Sequence, residues 1–123
     1  MNKLLSVCII AKNEEKMLPG CLDSVKDCAG EIILVDTGSS DRTKEIALAY
    51  GCKLYDFPWE NDFAKARNVA LDKATLPFIL SIDADERLLN PDLLVAEIEN
   101  APENIYGWLV KVTSEAARKG TGT

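Results

Sequence analysis

At 123 residues the chain has room for one compact domain and no second. Fourteen Lys and Arg against twenty Asp and Glu leave a net charge of −6, which excludes a phosphate-coating basic face and, with it, nucleic acid as a partner. There is no histidine, so a Ser-His-Asp triad, a Cys-His pair and any His-containing zinc site are excluded, and the chemistry falls to carboxylates, Lys, Arg or a bound cation.

Leu4 to Ile10 is apolar, partly β-branched and too short for an independent helix, so it reads as a first strand. Its lysine-led start resembles a short signal peptide, but Lys12, Glu14, Glu15 and Lys16 stand where a small-residue cleavage site belongs. Leu18, Cys21, Leu22 and Val25 recur at helical spacing, which predicts a helix from Glu14 to about Asp27, irregular at Pro19 and closed by Gly30. Glu31 to Val35 is a buried strand by composition. Asp41 to Tyr50 follows as a helix with Ser40 as N-cap and Gly51 as its stop. Cys52 to Tyr55 forms a short third strand, and the loop from Asp56 to Asn61 is expected over the sheet.

Asp62 is placed to cap the next helix, whose inner stripe is Phe63, Ala66, Val69 and Ala70. Pro77 to Ile82 is a fourth strand, Asn90-Pro91-Asp92 starts a last helix, and Gly107 to Val112 is a candidate fifth strand. Strands alternating with helices define an α/β fold with a mostly parallel sheet of four to five strands. Ligands of such sheets bind beyond the carboxyl ends of the strands, where the strand order reverses. The polar clusters at Asn13, at Asp36 and at Asp83 to Asp85 all follow strand ends, so they are expected on one rim. Cys8, Cys21, Cys28 and Cys52 lack CxxC spacing and sit among apolar neighbours, the pattern of buried free thiols in a reducing cytosol. No apolar run approaches the roughly 20 residues of a membrane helix, so the expected location is cytoplasmic, with peripheral membrane contact at most.

Asp83 and Asp85 are two apart, and residues so spaced on an extended segment face the same side. Their mutual repulsion is relieved by a divalent cation, Mn²⁺ or Mg²⁺, whose shell is completed by water and substrate phosphate. The alternative is a surface turn that caps the next helix. Asp36 closes a strand either as an Asx-turn or as a carboxylate that accepts from a nucleobase or ribose. Asp41 supports the turn and helix start, and Arg67 is either a diphosphate ligand or a solvated helix charge.

The runs Ser6-Val7-Cys8-Ile9-Ile10-Ala11-Lys12-Asn13-Glu14, Val35-Asp36-Thr37-Gly38-Ser39-Ser40-Asp41, Asp62-Phe63-Ala64-Lys65-Ala66-Arg67-Asn68 and Asp83-Ala84-Asp85-Glu86 resemble, in order and spacing, the family 2 glycosyltransferases. Phe57-Pro58-Trp59 looks closest to the branch with lipopolysaccharide-core glucosyltransferases and peptide S-glycosyltransferases. The resemblance implies a Rossmann-like GT-A half that binds a nucleotide-diphosphate sugar, a UDP-sugar first of all, with Mn²⁺ or Mg²⁺. By matching position Ala11, Asn13 and Glu14 line the nucleotide pocket, and Asp36 binds the base. Arg67 and Asn68 lie near base and diphosphate, Asp83 near ribose and metal, and Asp85 ligates the metal. The implied reaction is inverting transfer to an acceptor glycan, lipid or peptide of the bacterial envelope.

Family members continue into a second half that carries the acceptor surface and the base carboxylate. The chain is thus expected to be the nucleotide-sugar-binding half, with residues 1–117 as the unit and 118–123 a frayed tail, incomplete for turnover alone and given to homodimerising through an exposed sheet edge. A catalytically inactive binding or assembly module is the alternative. A receiver-like signalling domain is another, with Glu14-Glu15 as the acidic pair and Asp56 as phosphoacceptor, although Lys111 falls inside a strand rather than after it. An Asp-x-Asp-x-Thr phosphatase would need its aspartates after the first strand instead of the fourth.

Overall fold

The computed structural model describes residues 4–58, 63–99 and 108–110. Five strands, β1 (Leu5–Ala11), β2 (Glu31–Asp36), β3 (Lys53–Asp56), β4 (Phe78–Asp83) and β5 (Trp108–Val110), form one sheet in the order β3-β2-β1-β4-β5, every neighbouring pair parallel. Four helices alternate with them: α1 (Leu18–Val25), α2 (Thr43–Ala49), α3 (Phe63–Lys73) and α4 (Pro91–Glu99). A receiver sheet runs 2-1-3-4-5, so the order found here excludes that reading.

The two-residue alternation of the strands divides the core between the sheet's faces. Leu5, Val7 and Ile9 of β1, Ile32 and Leu34 of β2, and Phe78, Leu80 and Ile82 of β4 pack with Leu18, Cys21, Leu22 and Val25 of α1, Ala47 of α2 and Leu94 and Ile98 of α4. The opposite parity, Cys8, Ile33 and Val35, packs on Ala66 and Ala70 of α3, with Tyr55 and Phe57 at the margin. Chain direction accounts for α3: after β3 the chain reverses its march across the sheet, and a right-handed crossover then places this helix on the face opposite α1 and α2. All four cysteines are free and buried, in line with their apolar surroundings.

Element boundaries differ from the sequence reading where side chains from distant segments intervene. The first helix does not begin at Glu14 but at Leu18, with Pro19 in its first turn, where a missing N–H costs nothing. The second begins at Thr43 after Arg42, and Ser40 is not its cap. Gly51 does end α2, at φ +80°. The expected cap Asp62, the Trp59 part of the loop and the 118–123 tail lie outside the described residues.

At the amino end of the sheet one carboxylate gathers four segments. Glu31 Oε2 accepts from Ser6 Oγ at 2.5 Å, Thr75 N at 2.6 Å and Thr75 Oγ1 at 2.9 Å, while Oε1 accepts from Lys53 Nζ at 2.6 Å. Ser6 Oγ in turn accepts from Leu76 N at 3.2 Å, so β1, β2, β3 and the approach to β4 are joined by one set of hydrogen bonds. Among the described residues no helix is long and apolar enough to cross a membrane.

Candidate functional site

At the carboxyl end, β1 lies between β2 and β4. The chain leaves β1 outward through β2 and β3 and returns to β4 on the other flank, which puts the reversal of strand order between β1 and β4. Ala11 ends β1, Asp36 ends β2 and Asp83 ends β4, with Ala11 in register with Asp36 and Ile10 with Asp83. The rim therefore brings together Ala11, Asn13, Glu14, Asp36, Asp83 and Asp85, as the sequence led us to expect.

Asp36 is 1% exposed, and its two oxygens have different environments. Oδ1 accepts from Gly38 N at 2.9 Å and Ser39 N at 2.8 Å, an Asx-turn made possible by the positive φ of Gly38 (+124°). Oδ2 is buried and has no hydrogen-bond partner among the described residues. Of the two alternatives for Asp36, the Asx-turn is made, and it is made by Oδ1.

The loop after β1 is bolted to the loop after β2. Asn13 adopts a left-handed conformation (φ +54°), which asparagine tolerates better than most residues. Its N–H donates to Ser39 Oγ at 2.9 Å, and its Oδ1 accepts from Ser40 N at 2.7 Å. Glu14 N donates to Thr43 Oγ1 at 2.9 Å, Glu15 N to Asp41 Oδ2 at 3.2 Å, and Glu15 Oε1 accepts from Arg42 N at 3.0 Å. Asp41 Oδ1 also takes the N–H and hydroxyl of Thr43, so it holds the turn and helix start, as its position suggested. These bonds hold residues 13–15 against the loop after β2, ahead of α1, which begins at Leu18. Asn13 serves here as a clamp between loops, a role sequence reasoning missed along with Ser39 and Thr43. Their spacing from Asn13 and Glu14, 26 and 29 residues, leaves no local signal.

Burial, then the negative charges of Asp85, Asp41 and Asp83, push the Glu14 carboxyl above the usual carboxylate range. Four acids thus share one electrostatic neighbourhood. The donor set is all oxygen, which suits Mg²⁺ or Mn²⁺ and not a thiolate-seeking metal. Among the described residues no three His, Cys, Asp or Glu side chains converge as a ready cage. A divalent cation at Asp83 and Asp85 would need water and substrate phosphate to complete its shell. On the other face of the sheet α3 carries Arg67, half-buried, and Asn68, exposed.

A parallel sheet of this order with helices on both faces defines a Rossmann-like α/β fold. The description Glycosyl transferase family 2 matches residues 6–121, and the chain belongs to that family. It is 38% identical over 117 residues to the lipopolysaccharide core biosynthesis glycosyltransferase LpsC of Rhizobium meliloti, covering 86% of this chain and 41% of LpsC. It is 42% identical over 85 residues to the SPbeta prophage-derived glycosyltransferase SunS of Bacillus subtilis, covering 63% of this chain and 19% of SunS. Among solved structures, TarS 1–349 of S. aureus superposes with a TM-score of 0.63 at 30% identity, over 76% of this chain and 31% of that one. The chain thus spans less than half the length of these curated relatives.

Proposed function

We propose that this chain forms the donor half of a glycosyltransferase, binding a UDP-sugar with a divalent cation for inverting transfer to an acceptor. The observation that carries the reading is Asp36 Oδ2, a buried carboxylate oxygen with no partner at the rim of a parallel sheet. Uracil offers one ring N–H to such an acceptor. TarS has been solved with UDP and with UDP-GlcNAc, which supports the choice of nucleotide.

In this reading Asp36 fixes the base, Ala11, Asn13 and Glu14 form the wall of the nucleotide pocket, and Arg67 and Asn68 approach base and diphosphate. Asp83 lies by the ribose and, with Asp85, holds Mn²⁺ or Mg²⁺. When bound, the cation neutralises charge on the departing diphosphate. The base that takes the acceptor proton is assigned to no residue of this chain, and turnover then requires the acceptor-binding half. The acceptor is a glycan, lipid or peptide of the cell envelope, glycosylated from the cytoplasmic side. The edge strands β3 and β5 are the surfaces for a homodimer.

Thermal unfolding with nucleotides tests the base assignment. With Mn²⁺ and a hundredfold excess over Kd, UDP and UDP-glucose should stabilise the chain by about 2.7 kcal/mol. CDP, whose ring nitrogen is an acceptor where uracil has N–H, should stabilise it much less. Equal stabilisation by CDP and UDP would remove Asp36 from base recognition. No stabilisation by any nucleotide would remove the donor-site reading, while binding without transfer even beside the acceptor half would favour an inactive binding module.

A further inference from the structure

We infer that Glu86 is a positioning residue for the Asp83–Asp85 turn, acting through the backbone of Asp83; the inference rests on the donor-site reading above. The segment after β4 keeps the two-residue alternation of a strand. Ala84, Glu86 and Leu88 are buried, whereas Asp83 and Asp85 are partly open and Arg87 is exposed. Ala84 and Leu88 belong to the apolar core, yet the inward position between them holds a carboxylate only 2% exposed. A charged group in such a place must have a purpose that outweighs its desolvation.

Its geometry supplies one. Glu86 Oε1 accepts from Asp83 N at 2.9 Å, and Glu86 N donates to Asp83 O at 2.9 Å, so one residue closes the turn from both sides. Helix α1 braces the same turn: Cys21 Sγ donates to Asp83 O at 3.5 Å, and Ser24 Oγ accepts from Leu88 N at 2.9 Å. Ala84 anchors the middle of the turn in the core. With Ala84 and Glu86 held inward, Asp83 and Asp85 have one side left to face. Second-layer hydrogen bonds of this kind commonly set metal affinity by about 10–100-fold.

Two substitutions of similar volume separate this role from packing and from charge. Glu86→Gln keeps an acceptor for Asp83 N–H and removes the charge, whereas Glu86→Met fills the same inward space and removes the acceptor. In ligand-free chain, hydrogen exchange of the Asp83 amide should stay slow in wild type and Glu86→Gln and accelerate in Glu86→Met. In titrations with UDP and Mn²⁺, Glu86→Gln should bind within about threefold of wild type, and Glu86→Met at least about tenfold more weakly. UDP binding without Mn²⁺ should be the same in all three, which a general loss of structure would not spare. Glu86→Met binding like wild type, or Glu86→Gln failing as badly as Glu86→Met, would overturn the inference. Absence of Mn²⁺-dependent UDP binding in wild type would overturn the donor-site reading itself, and this role with it, whatever the variants do.

Discussion

Asp36→Asn should fold almost as well as wild type and bind UDP about 30- to 1000-fold more weakly. The asparagine carbonyl can replace Oδ1 and go on accepting from Gly38 and Ser39, so the turn survives and stability changes by no more than about 1 kcal/mol. The amide NH₂ then occupies the place of Oδ2. There it presents a donor to the ring N–H of uracil, and two buried donors facing each other cost about 2–4 kcal/mol in place of a charge-assisted bond. Urea unfolding and UDP titration of the same sample separate the two effects. A large stability loss with unchanged affinity would make Asp36 a turn residue only.

Glu31 governs a second large effect, on acid stability. Burial of its carboxyl works against the charged form, but hydrogen bonds from Lys53, Ser6 and Thr75 outweigh it and pull the group down to about 2 from an ordinary 4.5. A group depressed in the folded state stabilises the fold fully above its unfolded value and ceases to do so as pH falls through the folded one. The window is therefore pH 4.5 down to 2. The Glu31 side chain is 6% exposed but its partner Lys53 is 51% exposed, and with that screening the contribution is about 2–3 kcal/mol. Urea unfolding at pH 7 and pH 3 should show Glu31→Gln less stable than wild type at pH 7, with the gap narrowing at pH 3. A gap independent of pH would mean that the charge of Glu31 contributes nothing.

Much of this organisation is legible in the order of residues. Apolar runs ending in Asp36 and Asp83 gave both strand and rim, because each run turns polar where its strand ends. The four quoted runs carried the family. What local pattern cannot show is competition from afar. Leu18, Cys21, Leu22 and Val25 set a helical stripe, but residues 13–15 are held to Ser39, Thr43 and Asp41 of another loop, and the helix begins at Leu18. Ser40 looks like a helix cap in isolation, yet its N–H goes to Asn13, and the helix begins three residues later. Glu86 reads as the tail of an acidic motif, and only the burial of its neighbours sets it apart from Asp83 and Asp85. The choice offered for Asp36 was between turn and ligand; Oδ1 makes the turn, and the ligand role is the proposal made for Oδ2.

The most direct measurement is calorimetric titration of UDP into the full chain, with and without Mn²⁺, repeated on Asp85→Ala. The donor-site account predicts binding that strengthens with Mn²⁺ in wild type and loses that dependence in Asp85→Ala, with circular dichroism unchanged. A folded wild-type chain that binds no UDP under either condition, or an Asp85→Ala chain that keeps its full response to Mn²⁺, would contradict it.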